Sequence, residues 1–381
     1  MLRALACSLL VLAASCGDNT PAPPPAGTAA YPGPEWESER APGEPWEPIQ
    51  TDESRLRWRM SEEEVLLVFQ RIQPGTQYDP LTYWSRIPNK DLRYGWGERP
   101  EGEWRLRTNA SGLRDDDEVR VGQPGLRVLV TGDSHTDGVC FNEESYANRL
   151  EAHLGADDPE RTVEVLNAGV GGYTFFHFHG VLRKFLPLRP DVFVIGVYGG
   201  NDFLENLRPH HFFGETPWVE GLPHYRDRME AGRAVRNQQS EAAIAQALNQ
   251  VIYFATHPAQ MDHTLGTAFE VFEEIQSLCA EHEVRLLVMY IPPPWEVQGE
   301  RFRGLYEAMS EAMQLGPDEY ALGVQLGDRL LAGLNERSIE TLDLRTPFRE
   351  HPELLYWGTD HHINLLGHAL AAELLHERLS N

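Results

Sequence analysis

Cysteine is scarce in this chain: four residues in 381, at Cys7, Cys16, Cys140 and Cys279. That supply excludes a small fold framed by disulfides. Cys140 and Cys279 are read as two separate, part-buried thiols, with pairing in an oxidising compartment as the alternative. Basic residues are also few, 33 Lys and Arg against 58 Asp and Glu, for a net charge of −25 with histidine neutral. No Lys/Arg cluster interrupts this acidity, which argues against a nucleic-acid partner and against binding an anionic membrane through a basic face. Long apolar runs are missing too. Ala4–Ala14 is apolar but too short to span a bilayer as a mature helix. There is no G-x-x-x-x-G-K-[ST] loop, and Gly169-x-Gly171 lacks the rest of a dinucleotide fingerprint, so nucleotide binding is not supported and no cofactor is expected.

The N-terminus reads as an address. Met1-Leu2-Arg3 is a minimal basic start, and the apolar stretch ends in Ala13-Ala14-Ser15-Cys16. Those four residues resemble the lipobox of bacterial lipoproteins, which implies lipid attachment at Cys16, residues 1–16 as signal, and a membrane-anchored, exported protein. Residues 17–48, crowded with proline and nearly free of aliphatic side chains, read as an extended tether. Residues 49–124 read as an irregular, aromatic-rich lead-in that packs on the main domain, with one short helix over Glu62–Ile72.

From residue 125 to 381 the pattern changes. Apolar runs at Leu126–Thr131, Thr162–Asn167, Val192–Val197, Val284–Ile291 and Glu340–Leu344 predict strands. Amphipathic segments near Glu144–Leu154, Phe175–Phe185, Thr267–Glu281, Arg301–Leu315, Tyr320–Asn335 and Leu366–Leu379 predict helices between and after them. Strands that are apolar throughout and separated by helices predict a three-layer α/β/α sandwich around a mainly parallel five-stranded sheet. Residues 204–265, rich in proline and aromatics with a helix-like run at Gln239–Phe254, break the alternation and read as an insertion beside the site, a partial lid or a substrate-binding wall.

Four short blocks sit where such a sheet binds its ligands, at or beyond the carboxyl ends of strands. They are Gly132-Asp133-Ser134, then Asn167-Ala168-Gly169-Val170-Gly171-Gly172, then Gly199-Gly200-Asn201-Asp202, and Asp360-His361-His362 before the last helix. A serine, a histidine and a carboxylate are nucleophile, general base and orienter of a hydrolase. Residues two apart on an extended segment point the same way, so Asp360 can orient His362 while His361, the fallback base, points elsewhere. Asp133 and Asp202 read as loop organisers.

Together the ordered blocks resemble the SGNH (GDSL-type) hydrolase family, over about Leu126 to Leu379 with the insertion between. The resemblance implies a flavodoxin-like fold, Ser134 as nucleophile with His362 and Asp360, and an oxyanion hole from the Ser134 N–H, the Gly172 N–H and the Asn201 side chain. Gly171 and Gly169 compete with Gly172 in the same loop. The Asp-x-His spacing followed by Ile363-Asn364 is similar to branches that include alginate acetylation proteins. The implied activity is hydrolysis of O-acyl esters, acetyl for example, of a carbohydrate or another small ester. The alternatives are an O-acetyltransferase on a cell-surface polysaccharide and a non-catalytic carbohydrate-binding protein on the same fold. His177-Phe178-His179 and His210-His211 lack zinc-type spacing and read as wall or surface residues, so no metal is expected. Oligomeric state is not legible.

Overall fold

The five segments expected as strands pair into a single parallel sheet. The structure, a computed structural model, describes residues 58–69, 75–120, 122, 125–219, 223–235 and 244–380. The signal-like segment, Cys16 and the tether lie outside the described residues, as do residues 70–72 of the helix expected in the lead-in and 239–243 of the one expected in the insertion.

The lead-in departs from its irregular reading. After a helix at Glu62–Phe69 it forms two antiparallel hairpins, β1 (Thr76–Asp79) with β2 (Tyr83–Arg86), and β3 (Asp91–Gly95) with β4 (Glu103–Arg107). Strands of four or five residues carry too few alternations for a period to stand out. In β2 the pattern is lost altogether, because all four residues are buried.

The sheet proper consists of β5 (Leu126–Gly132), β6 (Val163–Asn167), β7 (Val192–Tyr198), β8 (Arg285–Ile291) and β9 (Glu340–Asp343), in the order β6-β5-β7-β8-β9 with every pair parallel. Each strand lies within two residues of its sequence-based bounds. β6 and β7 are buried at every position, which is why they read as continuous apolar runs. Helices Tyr146–Asp157 and Leu365–Ser380 pack together beside β6, while Phe175–Phe185 and Ala259–Glu281 pack against β5 and β8. The result is the expected three-layer α/β/α sandwich.

The first strand, β5, has the second on one side and the third on the other. The connections from β5 to β6 and from β6 to β7 therefore run to opposite sides of β5, which makes its carboxyl end the switch point at which sheets of this kind bind ligands. Ser134 begins the turn that follows β5.

The amino end of β5 is held by a buried ion pair. Arg127 Nε donates to Glu164 Oε2 at 2.5 Å, with the two side chains 0% and 6% exposed, and its other nitrogens donate to the carbonyls of Leu188, Arg120 and Gly122. Glu164→Gln is expected to lower unfolding stability by roughly 3–5 kcal/mol, because it strands a buried guanidinium. Urea unfolding measures this, and a loss below about 1 kcal/mol would mean that the carbonyls alone neutralise Arg127. Because this pair lies at the far end of the strand from Ser134, turnover should be unchanged.

Candidate active site

Asp133 starts the short helix Ser134–Asp137, its Oδ1 accepting the His135 N–H at 2.9 Å. Under this turn Thr136 packs so closely that a Cβ on Gly132 would lie 2.0 Å from Thr136 Oγ1, and one on Gly169 would lie 2.5 Å from Thr136 Cγ2. These glycines let the first two blocks touch. In the second block, Gly171 faces the serine, since a Cβ there would sit 3.7 Å from Ser134 Cβ. Gly172 holds the left-handed φ of 78° that turns the loop. The three glycines that compete in the sequence thus do three different things.

In the third block, Asn201 Nδ2 donates to Glu205 Oε1 at 3.3 Å, and Asn201 Oδ1 is buried without a hydrogen-bond partner among the described residues. A carboxylate only accepts, so the amide nitrogen faces Glu205 and keeps one N–H to offer. Asp202 Oδ2 accepts the Tyr198 N–H at 2.9 Å and so shapes the loop. Segment 246–250 of the insertion is bonded onto this block: Tyr198 Oη donates to the Gln246 carbonyl and Gln250 Nε2 to the Gly199 carbonyl, both at 2.7 Å.

In the fourth block, His362 Nδ1 lies 2.7 Å from Asp360 Oδ2, and the His362 N–H donates to Asp360 Oδ1 at 3.1 Å. The two side chains do meet, but not on an extended segment. His361 has a left-handed φ of 67°, so Asp360 reaches His362 through a tight turn. That turn sends His361 inward, where its Nδ1 lies 3.0 Å from Tyr306 Oη and its ring packs on Phe302. His362 Nε2 has no hydrogen-bond partner among the described residues. Ser134 Oγ donates to Asp133 Oδ2 at 3.3 Å, so serine and imidazole are not bonded to each other in this conformation.

The surrounding charges act on the imidazole. Burial disfavours its charged form, but Asp360, with Asp133 and Asp137 behind it, outweighs burial and holds the His362 pKa above the ordinary histidine range. His135 is fully buried and driven neutral. It stacks on Tyr198 at 3.6 Å, sits 4.8 Å from the His362 ring, and its Nδ1 accepts the Ile363 N–H at 3.3 Å. This tie between the nucleophile and base blocks carried no signal in the sequence beyond adjacency to Ser134.

Burial pushes Asp133 up to about 6, and burial with the Asp133 charge pushes Asp202 well above the carboxylate range. A raised native pKa stabilises the fold below the unfolded value of about 3.9 and loses that contribution as pH rises. Asp202→Asn keeps the carbonyl that caps Tyr198 and removes the titration. The variant is expected to gain stability over the parent as pH rises from 4 to 8. Equal urea midpoints for the two proteins across that range would rule this out.

The remaining histidines correct the reading of wall or surface. His177 and His179 are buried, with His177 against Trp84 and Tyr173 and His179 against Trp58. His211 is buried as well, bonded to Thr216 and Gln260, whereas His210 is half-exposed and bonded to Thr267. Helix Phe175–Phe185 is covered by the lead-in through Trp58 and Trp84. Cys140 and Cys279 are both free and buried.

The sequence model of the GDSL-like lipase/acylhydrolase family matches residues 130–370, which include all four blocks. The chain belongs to that family. It is therefore grouped with hydrolases of ester bonds. Among solved structures, this GDSL-like chain is similar to the acetyl xylan esterase AlAXEase, with 13% identity over 67% of this chain and 100% of that one and a TM-score of 0.40. It is also similar to a catalytic mutant of an acetylxylan esterase from Geobacillus stearothermophilus, with 16% identity, 68% and 95% coverage and a TM-score of 0.38. A third is the psychrotrophic esterase EstA from Pseudoalteromonas sp., with 12% identity, 67% and 96% coverage and a TM-score of 0.38. No curated protein matches the chain.

Proposed function

We propose that this GDSL-like protein is an exported serine esterase that hydrolyses O-acyl esters, acetyl among them, of a carbohydrate or another small ester. The observation that carries the reading is the Asp360–His362 pair with a buried Nε2 that has no hydrogen-bond partner among the described residues, its ring 4.8 Å from that of His135, the residue after Ser134. In this mechanism Ser134 turns from Asp133 towards His362 Nε2, which takes its proton as the Oγ–carbonyl bond forms. Charge on the carbonyl oxygen is met by the N–H groups of Ser134 and Gly172 and by the Asn201 amide. His362 then gives the proton to the leaving alcohol. Water, deprotonated by the same nitrogen, cleaves the acyl-enzyme and restores Ser134.

Export and a lipid anchor at Cys16 belong to the same proposal and rest on the lipobox-like Ala13-Ala14-Ser15-Cys16 and the proline-rich segment after it. The test of the chemistry is covalent. A fluorophosphonate probe is expected to label one site, and mass spectrometry of the digested protein is expected to find the adduct on the Ser134 peptide. A protein that is folded and hydrolyses nitrophenyl acetate yet carries its adduct elsewhere would overturn the assignment.

A further inference from the structure

Two adjacent residues of the lead-in reach to opposite sides of the candidate active site. The turn between β3 and β4 is closed by Trp96 N–H to the Gly102 carbonyl at 2.8 Å and Gly102 N–H to the Arg99 carbonyl at 3.0 Å. From this turn the Glu98 carboxylate accepts the Gly358 N–H at 2.7 Å, the Thr359 N–H at 2.9 Å and the Thr359 hydroxyl. Those donors immediately precede Asp360. Arg99, its side chain 1% exposed, points the other way. It forks onto Glu144 at 2.7 and 3.1 Å and lies 4.2 Å over the Phe141 ring, in the segment that follows the nucleophile turn.

We infer that Glu98 is a positioning residue for the base, and that the Glu98-Arg99 dipeptide is a bridge setting where the Asp360–His362 loop stands relative to the Ser134 segment. The inference rests on the catalytic reading above and adds a residue outside the 130–370 region that matches the family.

The loop needs such a tie. It is closed at its base by the Trp357 N–H to the His362 carbonyl at 2.8 Å and anchored inward through His361. Its outer corner, Gly358–Thr359, is exposed or half-exposed, and its two amides are gathered by one carboxylate, with no backbone partner among the described residues. The fit is close, since a Cβ on Gly358 would sit 3.1 Å from Glu98 Oε2. An edge-on contact of Trp96 with Trp357, centroids 6.2 Å apart, adds a second touch between turn and loop. The charges that act most strongly on His362 are Asp360, Asp133 and Asp137, not Glu98, so the contribution of Glu98 is chiefly placement. Misplacing a catalytic group by about 1 Å can cost on the order of 100-fold in rate.

The experiment compares the parent, Ser134→Ala, Glu98→Ala and Glu98→Gln as full-length proteins on nitrophenyl acetate. The parent is expected to be active and Ser134→Ala inactive. Glu98→Ala is expected to lose about 10- to 100-fold in kcat with KM changed less than about twofold. The acid limb of its pH profile should stay where the parent's lies. Glu98→Gln, which keeps one accepting oxygen, is expected to recover part of the loss. It also serves as the measured variant should Glu98→Ala fail to fold. Parent-like kcat in Glu98→Ala, or in Glu98→Gln where Glu98→Ala does not fold, or a loss shared equally by kcat and KM, would overturn the inference and leave the catalytic reading standing. Equal activity of the parent and Ser134→Ala would overturn the catalytic reading, and the inference with it.

Discussion

Ser134→Ala is expected to lower kcat for nitrophenyl acetate by about 10⁵- to 10⁶-fold, the loss seen when a triad nucleophile is removed and binding alone remains. The size follows from what the hydroxyl does in the proposed mechanism. It supplies the only atom that bonds to the substrate carbonyl, and the oxyanion donors cannot replace that bond. The fold should be indifferent to the change. Among the described residues Ser134 Oγ makes one hydrogen bond, a long one of 3.3 Å to Asp133, and the helix cap is made by Asp133 accepting the His135 N–H. Melting temperature and circular dichroism of the variant should therefore match the parent. A fall in kcat of less than about tenfold would exclude Ser134 as nucleophile, because no other group in a triad compensates for its loss.

The second large effect belongs to Asp360→Asn, with an expected fall of roughly 10⁴-fold. Asp360 accepts from His362 Nδ1 at 2.7 Å, which places the ring proton there and leaves Nε2 bare to receive the serine proton. An asparagine can turn its amide towards Nδ1 and invert that tautomer. The variant also tests the electrostatics. In the parent, the base is neutral only above a pKa raised over the ordinary value of about 6.5, so activity should fade as pH drops through a point above it. Without the Asp360 charge, burial acts with less opposition, and the acid limb of the residual activity should shift to lower pH. A limb that stays in place would mean that Asp133 and Asp137, not Asp360, govern the titration.

The legible part of the site was the part written in consecutive residues. Gly132-Asp133-Ser134 and the glycines of the second block stand directly after strands, and strands buried on both faces declare themselves as apolar runs such as Val192–Val197. Asp360 and His362 were paired for a reason the structure does not share. Alternation on an extended segment was expected, whereas the left-handed His361 makes the pair through a turn. The spacing survives either conformation, which is why the pairing could be read although its geometry could not.

What the sequence by itself determined is the order of the strands along the chain, the two-faced burial of the inner ones such as β7, and the residue types offered at their carboxyl ends. Each depends on local pattern, and local pattern is what a linear sequence carries. Only the tertiary structure decided that β5 lies between β6 and β7, which puts the switch point of the sheet at Ser134. It also decided that His177 and His179 are covered, and that Glu98 reaches a loop some 260 positions away. Those contacts come from packing the lead-in over helix Phe175–Phe185 and against the loop at Gly358–Thr359. Strands of four or five residues and a single exposed carboxylate leave no period in the sequence from which that packing can be inferred.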